Sequence, residues 1–296
     1  MLRAAAAAAA GGQQFPPGAL YVVATPIGNL ADLTLRAIHV LMLADAVACE
    51  DTRHSAPLLR HLGIEGKPLL AVHEHNEREA AGAVLARLAR GERVAFVSDA
   101  GTPAVSDPGA ALVAAAQAAG CRCIPVPGAS SAVAAISVSG DVSRTGFRFV
   151  GFLPTKGAER QAALDALARA DDAQVLFEAP HRVVALATAL GSACGTRRTT
   201  LCRELTKQFE TVATMPATEL SGWLAADPNR VRGEFVLVLH GRAAEGAAPL
   251  AEHDAMLRTL LAELPLKQAV GLATQLSGAP RNALYERALA LKQADA

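Results

Sequence analysis

Aromatic side chains are scarce, with eight Phe, two Tyr and one Trp in 296 residues. A core with so few rings must be filled by Ala, Leu and Val. Half of the chain is hydrophobic, enough to bury a large core. An excess of charge of one sign is also missing: Lys+Arg and Asp+Glu both number 28. That excludes a surface held to nucleic acid by bulk charge alone, but not a local basic face. Five cysteines (Cys49, Cys121, Cys123, Cys194, Cys202) form no CxxC pair, and their odd number argues against a disulfide framework. The chain therefore reads as a reduced, cytoplasmic protein. No apolar run is long enough to span a bilayer, so no membrane association is expected. The opening MLRAAAAAAAGGQQFPPG is too weakly hydrophobic for a secretory signal, and residues 1–18 are expected to be a disordered tail. GxGxxG and GxxxxGKS/T are both absent, so a dinucleotide- or phosphate-binding oxidoreductase has no fingerprint here.

What is present is alternation. From residue 19 to 142, short apolar runs (ALYVV, AVAC, PLLAVHEHN, RVAFV, CRCIPV) alternate with segments of helical spacing. Asp32 and Ser130 stand where helix N-caps belong, and Gly63 and Gly91 where helices close. This predicts a mainly parallel sheet covered on both faces. A break at GDVSRTG precedes a second α/β series over 143–243, in which TTLCRELT reads as a strand and MPATELSGWLAA as a helix. Residues 244–251 read as a linker. Residues 252–296 read as three short helices resembling a helix-turn-helix. Within 256–292 five basic residues oppose only Glu263 and Glu286, so this extension reads as the basic part of a neutral chain.

Four loops of the first domain follow predicted strands: ATPIGN, CEDTR, VSDAGTP and VPGASS. In a doubly wound sheet they face one crevice. Each alone is readily a plain turn, since Pro and Gly often only turn the chain; four together favour a shared ligand site. The second domain adds LFEAPH, CRELTK and VRGEF. There Glu178 and Glu234 either pair with Arg182 and Arg232 or wait for a ligand, and Asp51 is equally able to pair with Arg53. His73 and His75 share a face if VHEH is a strand, but no third ligand has convincing spacing, and no metal is expected.

Taken together, TPIGNLADLTLRA, ACEDTRHSAPLLRHLGI, VSDAGTPAVSDPG, VPGASSAVAAISVSG, GFLPTKGAER, LFEAPHR, CRELTKQFE and RGEFVLVL resemble the ribosomal RNA small subunit methyltransferase I family. That family lies within the tetrapyrrole-methylase-like superfamily of S-adenosylmethionine-dependent methyltransferases. The likeness runs from about residue 19 to 242, and the segment from 252 is similar to the family's helical extension. It implies an α/β, two-domain (class III) methyltransferase with S-adenosylmethionine folded in the cleft between domains. Backbone donors and acceptors on Gly/Pro-shaped loops suit a sulfonium, which a basic phosphate cradle would repel. By this resemblance, Pro26 and Gly28, then Asp99, Ala100, Gly101, Pro103 and Val105, then Ala129, Ser130 and Ser131 hold the cofactor. Ala179, Pro180, Glu234 and Phe235 close the site from the second domain.

The implied reaction is methyl transfer to the ribose 2′-oxygen of a cytidine in the decoding region of 16S ribosomal RNA, in the small subunit, by a homodimer. In-line transfer needs mostly positioning, with help from a base or cation. Glu50, Asp51, Arg53, Arg203, Glu204 and Lys207, in segments typical of the RNA branch, are the candidates. Spacing does not say which is a base and which grips a phosphate. Lys156 and Arg160 are expected phosphate contacts. A tetrapyrrole methyltransferase would share fold and cofactor, but has little need of CEDTR, RELTK or the extra helices. A non-catalytic RNA-binding factor would be marked by a damaged cofactor loop, whereas TPIGN and DAGTP are intact.

Overall fold

A computed structural model describes residues 1–73, 76–143, 146–242 and 253–294. In the first domain, strands β1 (Ala19–Val23), β2 (Ala46–Cys49), β3 (Leu69–Ala71), β4 (Val94–Val97) and β5 (Arg122–Val126) form a parallel sheet in the order β3-β2-β4-β1-β5. The residues of β2 and β4 are all buried, which is why these strands read as unbroken apolar runs. Their helices are α2 (Leu35–Leu43), α3 (Thr52–His61), α4 (Glu77–Ala89) and α5 (Ala110–Ala118), with one core on each face of the sheet. Strand β3 stops at Ala71, so His73 is not part of it, and His75 lies outside the described residues.

Two local expectations change. Thr34, not Asp32, caps α2, its hydroxyl accepting from the Ala37 amide at 3.1 Å. The disordered tail expected over residues 1–18 is not what the chain forms: Leu2–Ala10 is a helix, α1, packed on α2. Ala is the best helix former, and Ala6 and Ala10, one turn apart, are buried on one face. Arg3 Nη1 donates to the Gly63 carbonyl at 2.9 Å.

The second domain is a mixed sheet of β6 (Phe147–Phe152), β7 (Ala173–Glu178), β8 (Arg198–Arg203), β9 (Thr211–Pro216) and β10 (Phe235–Leu239), in the order β6-β7-β10-β8-β9. Only β6 and β7 run parallel. Strand β9 has no counterpart among the strands expected from the sequence. One sheet face is covered by α7 (Gly157–Arg169), α8 (Val183–Cys194) and α9 (Leu220–Ala225). The other takes α6 (Ser131–Ser139), which follows β5 in the chain yet packs its Ala132 and Ala135 against Val175, Cys202 and Val236. Ser130 caps α6 as expected, accepting from Val133. Ile27 and Leu205 join the same cluster, so the domains are fused by apolar packing directly beneath their shared cleft.

Three helices follow: α10 (Asp254–Glu263), α11 (Leu266–Ser277) and α12 (Arg281–Ala294), closed on a core of Leu257, Val270, Ala273, Leu284 and Ala288. The expected linker, 244–251, lies outside the described residues. The basic reading of the extension needs correction. Arg287 is held bidentate by Asp254 at 2.8 and 2.6 Å. Five basic residues face three acidic ones over 253–294, and Glu252 and Asp295 cancel the remainder over 252–296. The window 256–292 leaves those acids out.

Candidate active site

The first-domain loops meet at the carboxyl ends of β1 and β4, the neighbours at the centre of the sheet. Thr25 and Gly101 tie two of them into a two-bond bridge, N to O at 2.9 and 3.1 Å. Gly101 has φ +84, and a Cβ there would press on Ile27 at 3.2 Å. Thr102 Oγ1 donates to the Ala129 carbonyl at 3.0 Å and so brings in the VPGASS loop. Farther along, Ser106 Oγ lies where a Cβ on Gly151 of β6 would reach it, so this loop touches the second domain.

These loops and the second domain enclose a cleft of about 620 Å³, within the range of small-molecule sites. Pro26, Gly28, Ser98, Asp99 and Ala100 form one wall, His54, Pro57, Leu58 and His61 of α3 another, and Lys207 and Glu234 the far side. A recess of about 60 Å³ behind Ala100 is lined by Ile27, Ser131, Cys202 and Leu205. Burial raises the Cys202 thiol to about 12, which leaves it inert. Of the residues named from the sequence, Pro26, Gly28, Asp99, Ala100, Lys207 and Glu234 line the cleft, and Ser131 lines the recess. Gly101, Ala129 and Ser130 support the loops from behind. Pro103, Val105, Ala179 and Pro180 are outside the lining, and the Phe235 side chain lies in the second-domain core.

Across the cleft, the stem of Lys207 lies over Gly28, with Cγ where a Cβ would come within 2.5 Å. Its Nζ is bonded to Glu204 at 2.9 Å and to Glu234 at 3.2 Å. Glu204, at φ +53, also accepts from the Glu234 amide at 2.8 Å, and its carboxylate covers Gly233. Glu234 therefore pairs with Lys207 and not with Arg232. Arg203 braces the same loop, donating to the carbonyls of Arg232 at 2.5 Å and Phe209 at 3.1 Å. Glu178 is fully buried with Arg182 at 3.0 Å, the ion-pair reading of that glutamate. Arg160 Nη1 donates to the Pro154 carbonyl at 3.0 Å.

On the first-domain side, Asp51 caps α3 and forms the ion pair with Arg53 at 2.6 Å, which holds its carboxyl at about 2. Asp99 accepts from the Asp51 amide at 3.1 Å with Oδ1 and pairs with His54 Nδ1 at 2.7 Å with Oδ2. His54 was not among the sequence candidates; its place one turn into α3, after the CEDTR loop, was the available signal. Glu50 and Asp107 lie close to Asp99. Burial raises both carboxyls, Asp107 to about 6, with added repulsion from neighbouring acids. The carboxylates that line the cleft, Asp99 and Glu234, and the glycine-shaped backbone fit a cationic ligand rather than a phosphate.

The frame of the site is thus two α/β domains, the first with a parallel sheet, and a cleft across the ends of its strands. Residues 19–221 match the family model for Tetrapyrrole (Corrin/Porphyrin) Methylases, and 247–292 match the RsmI C-terminal HTH domain. The uroporphyrin-III C-methyltransferase from Thermus thermophilus, in a structure complexed with S-adenyl homocysteine, superposes with a TM-score of 0.52 at 20% identity. That match covers 74% of this chain and 96% of the other. The "Ribosomal RNA small subunit methyltransferase I" of Pseudomonas aeruginosa is 50% identical over 275 residues, 92% of this chain and 97% of that protein. The protein of the same name from Xylella fastidiosa is 47% identical over 270 residues, 91% and 98% of the two chains. This chain belongs to the ribosomal RNA small subunit methyltransferase I family.

Proposed function

We propose that this protein transfers the methyl group of S-adenosylmethionine to the ribose 2′-oxygen of a cytidine in the decoding region of 16S ribosomal RNA. The substrate is the small ribosomal subunit, and the enzyme is a cytoplasmic homodimer. The observation that carries this reading is the cleft itself: the TPIGN and SDA loops face Lys207 and Glu234 in a chain whose relatives are named for ribosomal RNA methylation. The cofactor supplies an electrophilic methyl on sulfur. Pro26, Gly28, Asp99, Ala100 and Gly101 would hold it, with Ala129, Ser130 and Ser131 behind and Glu234 opposite. Asp99 and Glu234, the carboxylates in the lining, favour its cationic groups. Exposed Phe147 and Phe152 on edge strand β6, and Val212 on edge strand β9, offer apolar surface for a second copy.

The test is methyl transfer from labelled S-adenosylmethionine to small subunits from a strain lacking the enzyme, followed by mapping of the labelled nucleotide. Label on the 2′-oxygen of one cytidine is the expected result. Unlabelled subunits, with cofactor binding demonstrated, would refute the reading; a uroporphyrinogen substrate would then be assayed. Light scattering reads the dimer directly, and a monomeric mass would remove that part.

A further inference from the structure

We infer that His54, oriented by Asp99, is the catalytic base that takes the proton of the methyl-accepting hydroxyl. The inference deepens the proposed function and rests on its reading of the acceptor as an alcohol. An alcohol ionises far above neutral pH, so its proton must be removed as the new bond forms, and a placed base contributes roughly 10²–10⁴ in rate.

The cleft wall offers five titratable side chains: His54, His61, Asp99, Lys207 and Glu234. Both Asp99 oxygens are engaged, one by the Asp51 amide and one by His54. Lys207 is an ammonium bonded to two carboxylates, one of them Glu234, and has no lone pair to offer. Of the two histidines, His54 is the one bonded to a carboxylate among the described residues. That bond uses Nδ1 at 2.7 Å, which puts the proton on Nδ1 and the lone pair on Nε2. The side chain is 67% exposed, along the cleft wall.

Four charged groups face it: Asp99 from the end of β4, Glu50 from the end of β2, Asp51 capping its helix and Arg53 within that helix. The Asp99 bond and charge raise the imidazole above its ordinary value, Asp51 adds to this, and Arg53 opposes it. In the transfer, the acceptor oxygen bonds to the methyl carbon as that carbon leaves sulfur, whose bonding electron pair stays on sulfur. The hydroxyl proton passes to His54 Nε2, and the resulting imidazolium, held by Asp99, then releases it to water. Asp99 is in this scheme a positioning residue for His54.

The experiment compares wild type, His54→Gln, His54→Ala and Asp99→Asn by three readouts. These are single-turnover methyl transfer against pH, S-adenosylmethionine affinity by calorimetry, and NMR titration of the His54 imidazole in the cofactor-free protein. The wild-type rate should rise with pH through the His54 titration and then level. H54Q should lose roughly 10²–10⁴ in rate and the rising limb, while cofactor affinity, which also reports folding, stays within about twofold. Added imidazole should restore part of the H54A rate. D99N should lower the His54 titration and move the rate limb the same way. A rate for H54Q within about threefold of wild type, with the limb intact, would overturn the assignment, since a base in use contributes far more. So would a His54 titration indifferent to D99N. Absence of a 2′-oxygen label with wild type would instead bring down the proposed function and the role of His54 with it, while the NMR comparison still reports the His54–Asp99 pair.

Discussion

Residue choices in the cleft follow from what each must leave room for. Gly28 is glycine because the Lys207 stem occupies the place of its Cβ, with Cγ 2.5 Å away and Thr206 Oγ1 3.0 Å away. Gly28→Ala should push Lys207 off Glu204 and Glu234 and cost about 1–3 kcal/mol, the usual range for overpacking. Adding Lys207→Ala should recover part of that loss, and urea unfolding of the three variants measures the coupling. Asp107 is a different case, a carboxyl raised to about 6 by burial first and by the charge of Glu50 second. Its unfolded value is about 3.9. Between these two values the folded protein binds the extra proton, so stability falls as pH rises through the window and stays lower above it. Asp107→Asn should therefore raise Tm at pH 7.5 and leave it unchanged near pH 3. A gain of about 2–4 °C is expected for each 1 kcal/mol recovered in a chain of this size. An equal gain at both pH values would assign the effect to something other than ionisation.

At the scale of elements, legibility tracked periodicity. Strands β2 and β4 are buried on both faces and were read from unbroken apolar runs. Strand β9 was missed because it lies at a sheet edge, where Thr211, Val212, Ala213 and Thr214 mix polar with exposed apolar residues. The α2 cap was displaced by two residues because Asp32 closes a short 3-10 turn, leaving Thr34 to begin the helix. Helix α1 has no hydrophobic periodicity to announce it, because alanine is weakly hydrophobic; its signal is helix propensity, in which alanine is strongest. The site was legible loop by loop, since Pro and Gly mark the turns. His54–Asp99 was not, because 45 residues separate the partners and only the β2–β4 pairing joins them. If α1 is part of the first-domain core, Ala6→Glu should lower stability about as much as deleting residues 2–11. The side chain at position 6 is fully buried, and a buried unpaired charge cannot stay solvated. Matched urea midpoints below that of wild type are the expected result; an unchanged A6E midpoint would mean that the helix does not stay docked.

At the scale of the whole molecule, the cleft and the last three helices are built on separate cores. The two α/β domains share the apolar cluster under α6, and the residues that line the cleft come from these two domains. Those helices close on their own core and present exposed Lys267, Arg281 and Lys292. Their charge excess is small, so bulk attraction to RNA is excluded for this unit as it was for the chain, and any contribution must come from individual phosphate contacts. The triple variant Lys267→Glu, Arg281→Glu, Lys292→Glu should therefore weaken binding to small subunits. The slope of log affinity against log salt should become shallower by about 0.7–0.9 for each phosphate that is no longer neutralised. Cofactor affinity, set in the cleft, should stay at the wild-type value. Filter binding across a salt series, with calorimetry on the same preparations, reads both quantities. An unchanged slope would show that the extension serves the enzyme by shape alone, because three reversed charges cannot leave counterion release untouched if they face phosphates.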